Sequence, residues 1–148
     1  MKMPPREKIV EAYTAIEDNR IELFEDYAIV KSSDLKKEYL IKWNNNLYYS
    51  NDNSTYWQNY PGYPVIAVLL LQDKLKLNKD ISKYFKNINW NSLNKEYKKD
   101  YTKAFNSIID KLSNNEKNLI NEEINRVYDS LFNLNIELTR KKDLKWKY

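Results

Sequence analysis

The sequence predicts an α+β fold: a four-stranded antiparallel meander packed by helices, followed by a C-terminal helical hairpin with a heptad seam. Three observations predict it. Short segments between residues 20 and 50 alternate apolar and polar side chains with the two-residue period of strands. The apolar run from Val65 to Leu71 follows Pro64, which suits a first helical position, and reads as a buried helix. From Ile120 onward, apolar residues recur at alternating steps of four and three.

The elements follow in order. Pro4 and Pro5 stand where prolines start helices, Ile9, Val10, Tyr13 and Ile16 share one helical face, and Asn19 is a stop signal. Ile21 and Leu23 then alternate with Glu22, and the Glu25–Asp26 turn leads into a β-rich run from Tyr27 to Val30. After a second turn at Ser33–Asp34, Tyr39, Ile41 and Trp43 share a face opposite Glu38 and Lys42. A third turn at residues 44–46 precedes a strand from Leu47 to Ser50. The segment from Asn51 to Pro64, rich in Asn, Ser and Thr, reads as a loop. A short helix is expected between Asp80 and Phe85. In the last third, Leu93, Tyr97, Tyr101, Ala104, Phe105, Ile108 and Leu112 line one helical face. Ser113 and Glu116 stand at capping-box spacing around a break at Asn114–Asn115. Ile120, Ile124, Val127, Leu131, Leu134 and Leu138 then form the heptad seam. Such a stripe fits a partner helix in a homodimer, and packing inside an intramolecular hairpin gives the same spacing. The expected division is a nucleic-acid-binding domain over residues 1–89 and a dimerisation region with a basic tail over 90–148.

Composition removes several chemistries. The 148 residues contain no Cys and no His. Disulfides, thiolate nucleophiles, imidazole bases and ordinary zinc sites are thereby excluded. Carboxylate, Lys and Tyr chemistry survives, but no paired arrangement appears in the sequence, so no catalytic residues, metal or cofactor are expected. Mean hydropathy is −0.83, and the longest apolar run is far too short to cross a bilayer. The opening residues lack the apolar stretch of a signal peptide, which points to a cytoplasmic protein. Of the net charge of +4, little lies in residues 1–89, which carry 13 basic and 12 acidic side chains. The segment from Arg140 to the end is strongly basic, either a solvated tail or a phosphate-attracting arm.

The densest functional signal is aromatic. Trp43, Tyr48, Tyr49, Tyr56, Trp57, Tyr60 and Tyr63 fall within 21 residues, mostly on the polar loop and its flanking strand. Bases present flat π-faces, and stacking them on Tyr or Trp is worth ~1–3 kcal/mol per base without regard to sequence. Single strands offer those faces freely, whereas a duplex hides them. Lys31, Lys36, Lys37 and Lys42 could flank such a surface and hold phosphates. Tyr and Trp are also common in cores and under loops, and Trp43 alternates with core residues. The candidate nucleic-acid-binding set is therefore Tyr48, Tyr49, Tyr56, Trp57, Tyr60 and Tyr63 with those four lysines. Aromatic anchors also favour protein interfaces, so a protein–protein adaptor serving a recombinase is the competing expectation.

Two resemblances bear on this. The meander of residues 20–50, the aromatic segment ending in Tyr60-Pro61-Gly62-Tyr63-Pro64 and the heptads from Ile120 together resemble the archaeal ThermoDBP-type single-stranded DNA-binding proteins. That resemblance implies an extended cleft of exposed apolar and aromatic side chains with basic edges, sequence-independent binding of single strands, and a zipper-like dimer seam. From Tyr39 to Leu71 the chain also resembles a SWIM zinc finger, with Ile66-Ala67-Val68-Leu69-Leu70 as its apolar helix. The ligand positions would fall at Ser50, Asp52, Gly62 and Pro64, none of them Cys or His. This resemblance implies a metal-free relative of a DNA-associated module.

Overall fold

The meander forms as the alternation predicts. A computed structural model describes residues 1–144, in which β1 (Ile21–Leu23), β2 (Tyr27–Lys31), β3 (Glu38–Asn44) and β4 (Leu47–Ser50) pair antiparallel in that order. Ala28, Val30, Ile41 and Tyr48 are buried and mark the inner face of the sheet. The turns explain the composition. This chain has one glycine, and Asn19, Asn45, Asn59 and Asn87 take backbone conformations with positive φ. Asn tolerates that left-handed region better than most residues, because its short polar side chain bonds locally.

Helix α3 (Tyr63–Leu71) covers the inner face, and helix α1 (Lys8–Glu17) packs on α3. Helix α3 is buried from Pro64 to Leu70 because it is wedged between the sheet and α1, and its sequence is accordingly apolar on every side. Between β4 and α3, where a loop was expected, the chain forms a short helix, α2 (Asn53–Gln58). Asp52 accepts from the Thr55 backbone N–H as its N-cap, and Asn59 closes it with φ 59°. Next come α4 (Lys79–Ser82), a 3-10 turn (Lys83–Phe85), α5 (Trp90–Glu96), α6 (Tyr101–Ile109) and α7 (Asn114–Phe132). The capping box at Ser113 and Glu116 is present, each satisfying the other's backbone N–H at the start of α7. Asn114 and Asn115 are therefore the first residues of a helix, and the chain breaks just before them.

The heptad seam does another job from the one expected. Helix α7 stops at Phe132, Leu134 lies in the connection beyond it, and Leu138 belongs to a fifth strand, β5 (Glu137–Thr139). Strand β5 pairs in parallel with β4, setting Leu138 opposite Tyr48, so the sheet is five-stranded and mixed. Ile120, Ile124, Val127 and Leu131 are 0–1% exposed within a single chain, with α7 packed on α1 and α4. The dimerisation surface assigned to Ile120, Ile124, Val127, Leu131, Leu134 and Leu138 is thus corrected: those on α7 are consumed by the chain's own core. Steps of four and three describe a narrow apolar stripe, and a stripe is equally what a helix needs when it lies across other helices of its own domain.

One core also crosses the boundary expected at residue 89. Ile9, Val65, Phe85, Trp90, Phe105 and Ile124 belong to a single cluster. No helix among the described residues is long and apolar enough to cross a membrane. Residues 145–148 of the basic segment lie outside the described residues.

Candidate nucleic-acid interface

The sheet has a second face, and its chemistry differs from the first. Lys42 lies opposite Tyr27 on β2 and opposite Tyr49 on β4, so the three stand in one row across the strands. Neighbouring strands are ~4.8 Å apart, which makes the row about 10 Å long. Phe24, exposed at one end, stacks on Tyr27 with ring centroids 4.6 Å apart and planes 14° from parallel. At the other end Tyr49, only 7% exposed, sits in a small cluster with Leu47, Leu40, Tyr56 and Leu144. Tyr49 is therefore a floor on which Tyr56 rests, and its own ring is covered.

Beyond that floor lies an open ring. Trp57 is 64% exposed and meets Tyr56 edge-on, with centroids 4.8 Å apart at 75°. The Arg140 guanidinium lies 5.7 Å from the Trp57 ring centre and 5.8 Å from that of Tyr56. Its Nε donates to the Tyr56 main-chain oxygen at 2.7 Å, which fixes the cation beside both rings. A flat exposed indole, a supporting ring and a pinned guanidinium make a stacking platform with a positive edge.

The other candidates separate. Tyr48 is 0% exposed on the inner face, and its hydroxyl donates to Gln72 Oε1 at 2.6 Å, so it is a core residue and leaves the candidate set. Tyr63 also turns away from the row. It packs edge-on against Tyr39 at 6.3 Å, lies under the Arg20 guanidinium, and burial pushes its hydroxyl pKa up. Tyr60 is half-buried, with Lys2 Nζ 5.7 Å from its ring centre. Lys31 and Lys42 occupy the outer face of the sheet, whereas Lys36 and Lys37 are exposed in the turn between β2 and β3. The structure thus joins Tyr49, Tyr56, Trp57 and Lys42, and adds Phe24, Tyr27 and Arg140. Tyr27 was legible, since it shares its strand face with Ile29 and Lys31, opposite the core positions Ala28 and Val30. Arg140 gave no signal beyond membership of a basic segment.

Helix α2 is held by a compact hydrogen-bond network. The Ser50 hydroxyl donates to Asp52, Asp52 Oδ2 accepts from Thr55 N–H at 3.1 Å, and Gly62 N–H donates to Thr55 Oγ1 at 2.9 Å. A Cβ on Gly62 would fall 2.1 Å from Asp52 Oδ2, so only glycine fits there. Ser50, Asp52 and Gly62, three of the positions where the SWIM resemblance would put ligands, therefore meet in space and are occupied by hydrogen bonds. Among the described residues, no three His, Cys, Asp or Glu side chains are grouped to hold a metal ion.

The family model described as "Uncharacterised conserved protein UCP014422" matches residues 1–137. The chain belongs to this family. The UCP014422 match takes in the whole meander, every helix and the first residue of β5, while Arg140 lies outside it. No curated protein and no solved structure matches the chain.

Proposed function

We propose that the protein is a non-catalytic, sequence-independent binder of single-stranded DNA, and that the strand lies along the outer face of the sheet and over α2. The observation that carries this reading is the platform of Trp57, Tyr56 and Arg140: a mostly exposed indole with a cation fixed beside it. An exposed indole supported by a second ring presents a flat π-face, and an unpaired base offers a matching flat surface. Lys42 and Lys31 on the same sheet face supply phosphate contacts, and Phe24 stacked on Tyr27 offers a further apolar surface. The resemblance to ThermoDBP-type proteins leans the same way for the sheet. What it implied for the C-terminal helices, a separate dimer seam, does not carry over.

The test is a fluorescence titration with oligothymidylate. Trp90 is buried, Trp43 is half-buried and Trp146 lies outside the described residues, so the difference in quenching between wild type and Trp57→Ala is what reports on Trp57. Saturable quenching with micromolar or tighter affinity is expected, falling with salt. Trp57→Ala should weaken binding by ~1–3 kcal/mol. Equal affinity for a duplex of the same length would overturn the proposal.

A further inference from the structure

A cavity of about 720 Å³ lies between α1, the turn before β3, the first residues of α2 and α3, and the α5–α6 pair. Its size falls within the range of small-molecule sites, roughly 300–1,000 Å³. Its floor is charged and buried. Lys8 Nζ and Glu11 Oε2 are 3.2 Å apart on one face of α1, and the two residues are 7% and 5% exposed. Burial works against the Lys8 ammonium, but Glu11 and the Tyr101 ring beside it hold its pKa above the ordinary value.

Availability of charge decides what the cavity can take. Its three carboxylates are already engaged. Glu11 is paired with Lys8, and Asp52 caps α2 and accepts from Ser50. Asp34 accepts from the Ser32 hydroxyl at 2.6 Å and from Lys36 N–H at 3.0 Å, bonds that hold its carboxyl down to about 2. The lysines at the mouth are not engaged: Lys37, Lys95, Lys98 and Lys99 form no ion pair among the described residues. Lys98 and Lys99 are also held at φ 53° and 65°, consecutive left-handed positions where a lysine costs roughly 1–2 kcal/mol. Of the six other such positions among the described residues, four hold asparagine, at Asn19, Asn45, Asn59 and Asn87, and the remaining two are Leu35 and Asp73. Two lysines here place cations at the mouth against the preference of the backbone. Deeper in, the Asn94 side-chain oxygen is buried with no hydrogen-bond partner among the described residues, an acceptor without a donor. Tyr39, Tyr63 and Tyr101 supply aromatic walls.

We propose that this cavity binds a nucleoside phosphate, free or at the end of a strand, with the base among the tyrosines, a base N–H on Asn94, and the phosphate at Lys95, Lys98 and Lys99. The site shares no side chain with the Trp57 platform, and the proposal stands without the outer-face reading.

Calorimetric titration of the full chain with AMP, TMP and ATP tests it, with inorganic phosphate as the control. One saturable site for at least one nucleotide is expected, at least tenfold tighter than for inorganic phosphate. The double variant Lys98→Gly with Lys99→Gly removes both cations while suiting the left-handed backbone, so its melting temperature should hold or rise. Its nucleotide affinity should drop at least tenfold. Trp57→Ala should leave mononucleotide binding unchanged. A 5′-phosphorylated oligothymidylate that displaces the mononucleotide from the Trp57→Ala protein assigns the ligand to a strand end, and failure to displace assigns it to the free nucleotide. No saturable binding at millimolar nucleotide, or equal affinity in the Lys98→Gly, Lys99→Gly protein, would overturn the proposal.

Discussion

Arg140 donates from Nε to the main-chain oxygen of Tyr56, and the pairing joins residues 84 positions apart. A guanidinium tied to the backbone in this way keeps its remaining donors on the solvent side, beside the Trp57 ring. Arg140→Gln should weaken oligothymidylate binding and lower the slope of log affinity against log salt by about 1. Arg140→Lys should not restore wild-type affinity, because an ammonium lacks the planar fork that reaches the carbonyl and both rings together. Titrations at several salt concentrations measure both effects.

Ile124 tests the reassignment of the heptads. It is 1% exposed in a single chain, so Ile124→Ala should cost about 2–5 kcal/mol through lost burial and the cavity left behind. The urea midpoint of both proteins should be independent of protein concentration. A midpoint that climbs with concentration would return the seam to an interface between chains.

Gly62 tests the support of α2. With Asp52 Oδ2 in the space a Cβ would occupy, Gly62→Ala should displace the N-cap and cost about 1–3 kcal/mol. Because Trp57 lies one turn beyond the cap, its emission and the oligothymidylate quench should change as well. Chemical denaturation followed by Trp fluorescence reads both from one sample.

Asp34 gives the pH prediction. Hydrogen bonds from Ser32 and the Lys36 backbone lower its carboxyl from 3.8 to about 2. A carboxylate held down in the native state adds stability above its unfolded pKa and loses it as pH falls through the folded one. Wild type should therefore melt above Asp34→Asn at pH 7, and the two curves should converge between pH 3.8 and 2. Thermal melts across that window show whether they do.

Much of the fold was legible for local reasons. Strands β1 to β4 follow from period-two alternation bounded by Asp- and Asn-rich turns, and Asn19 stops α1 by adopting φ 54°. The Ser113–Glu116 spacing is a capping box in the structure because each side chain reaches only three residues. What escaped was non-local. Leu134 and Leu138 continue the seam's spacing beyond Phe132, and no Gly or Pro marks the end of α7, so periodicity alone runs through β5. Only the pairing of Leu138 with Tyr48 makes that segment a strand. Helix α2 was hidden by Asn, Ser and Thr, weak helix formers whose poor propensity a single Asp52 cap and the Gly62 contact outweigh. The cavity was invisible for the same reason. Lys8 and Glu11 stand three apart on a helix, and nothing local in the sequence signals that residues of α5 and α6 line a cavity with them.

The parallel docking of β5 has a consequence for biosynthesis. Leu47 must wait for Glu137, about ninety positions later, before its outer edge is paired. At ribosomal speeds of about 5–20 residues per second, that interval lasts roughly 5–20 seconds. Throughout it the nascent chain carries an open strand rim prone to sticking to its neighbours, and Arg140 has not yet been made. Strand β4 gains its last partner and the Trp57 ring its guanidinium from the same late segment, so a half-synthesised chain is the most vulnerable form and lacks the complete platform.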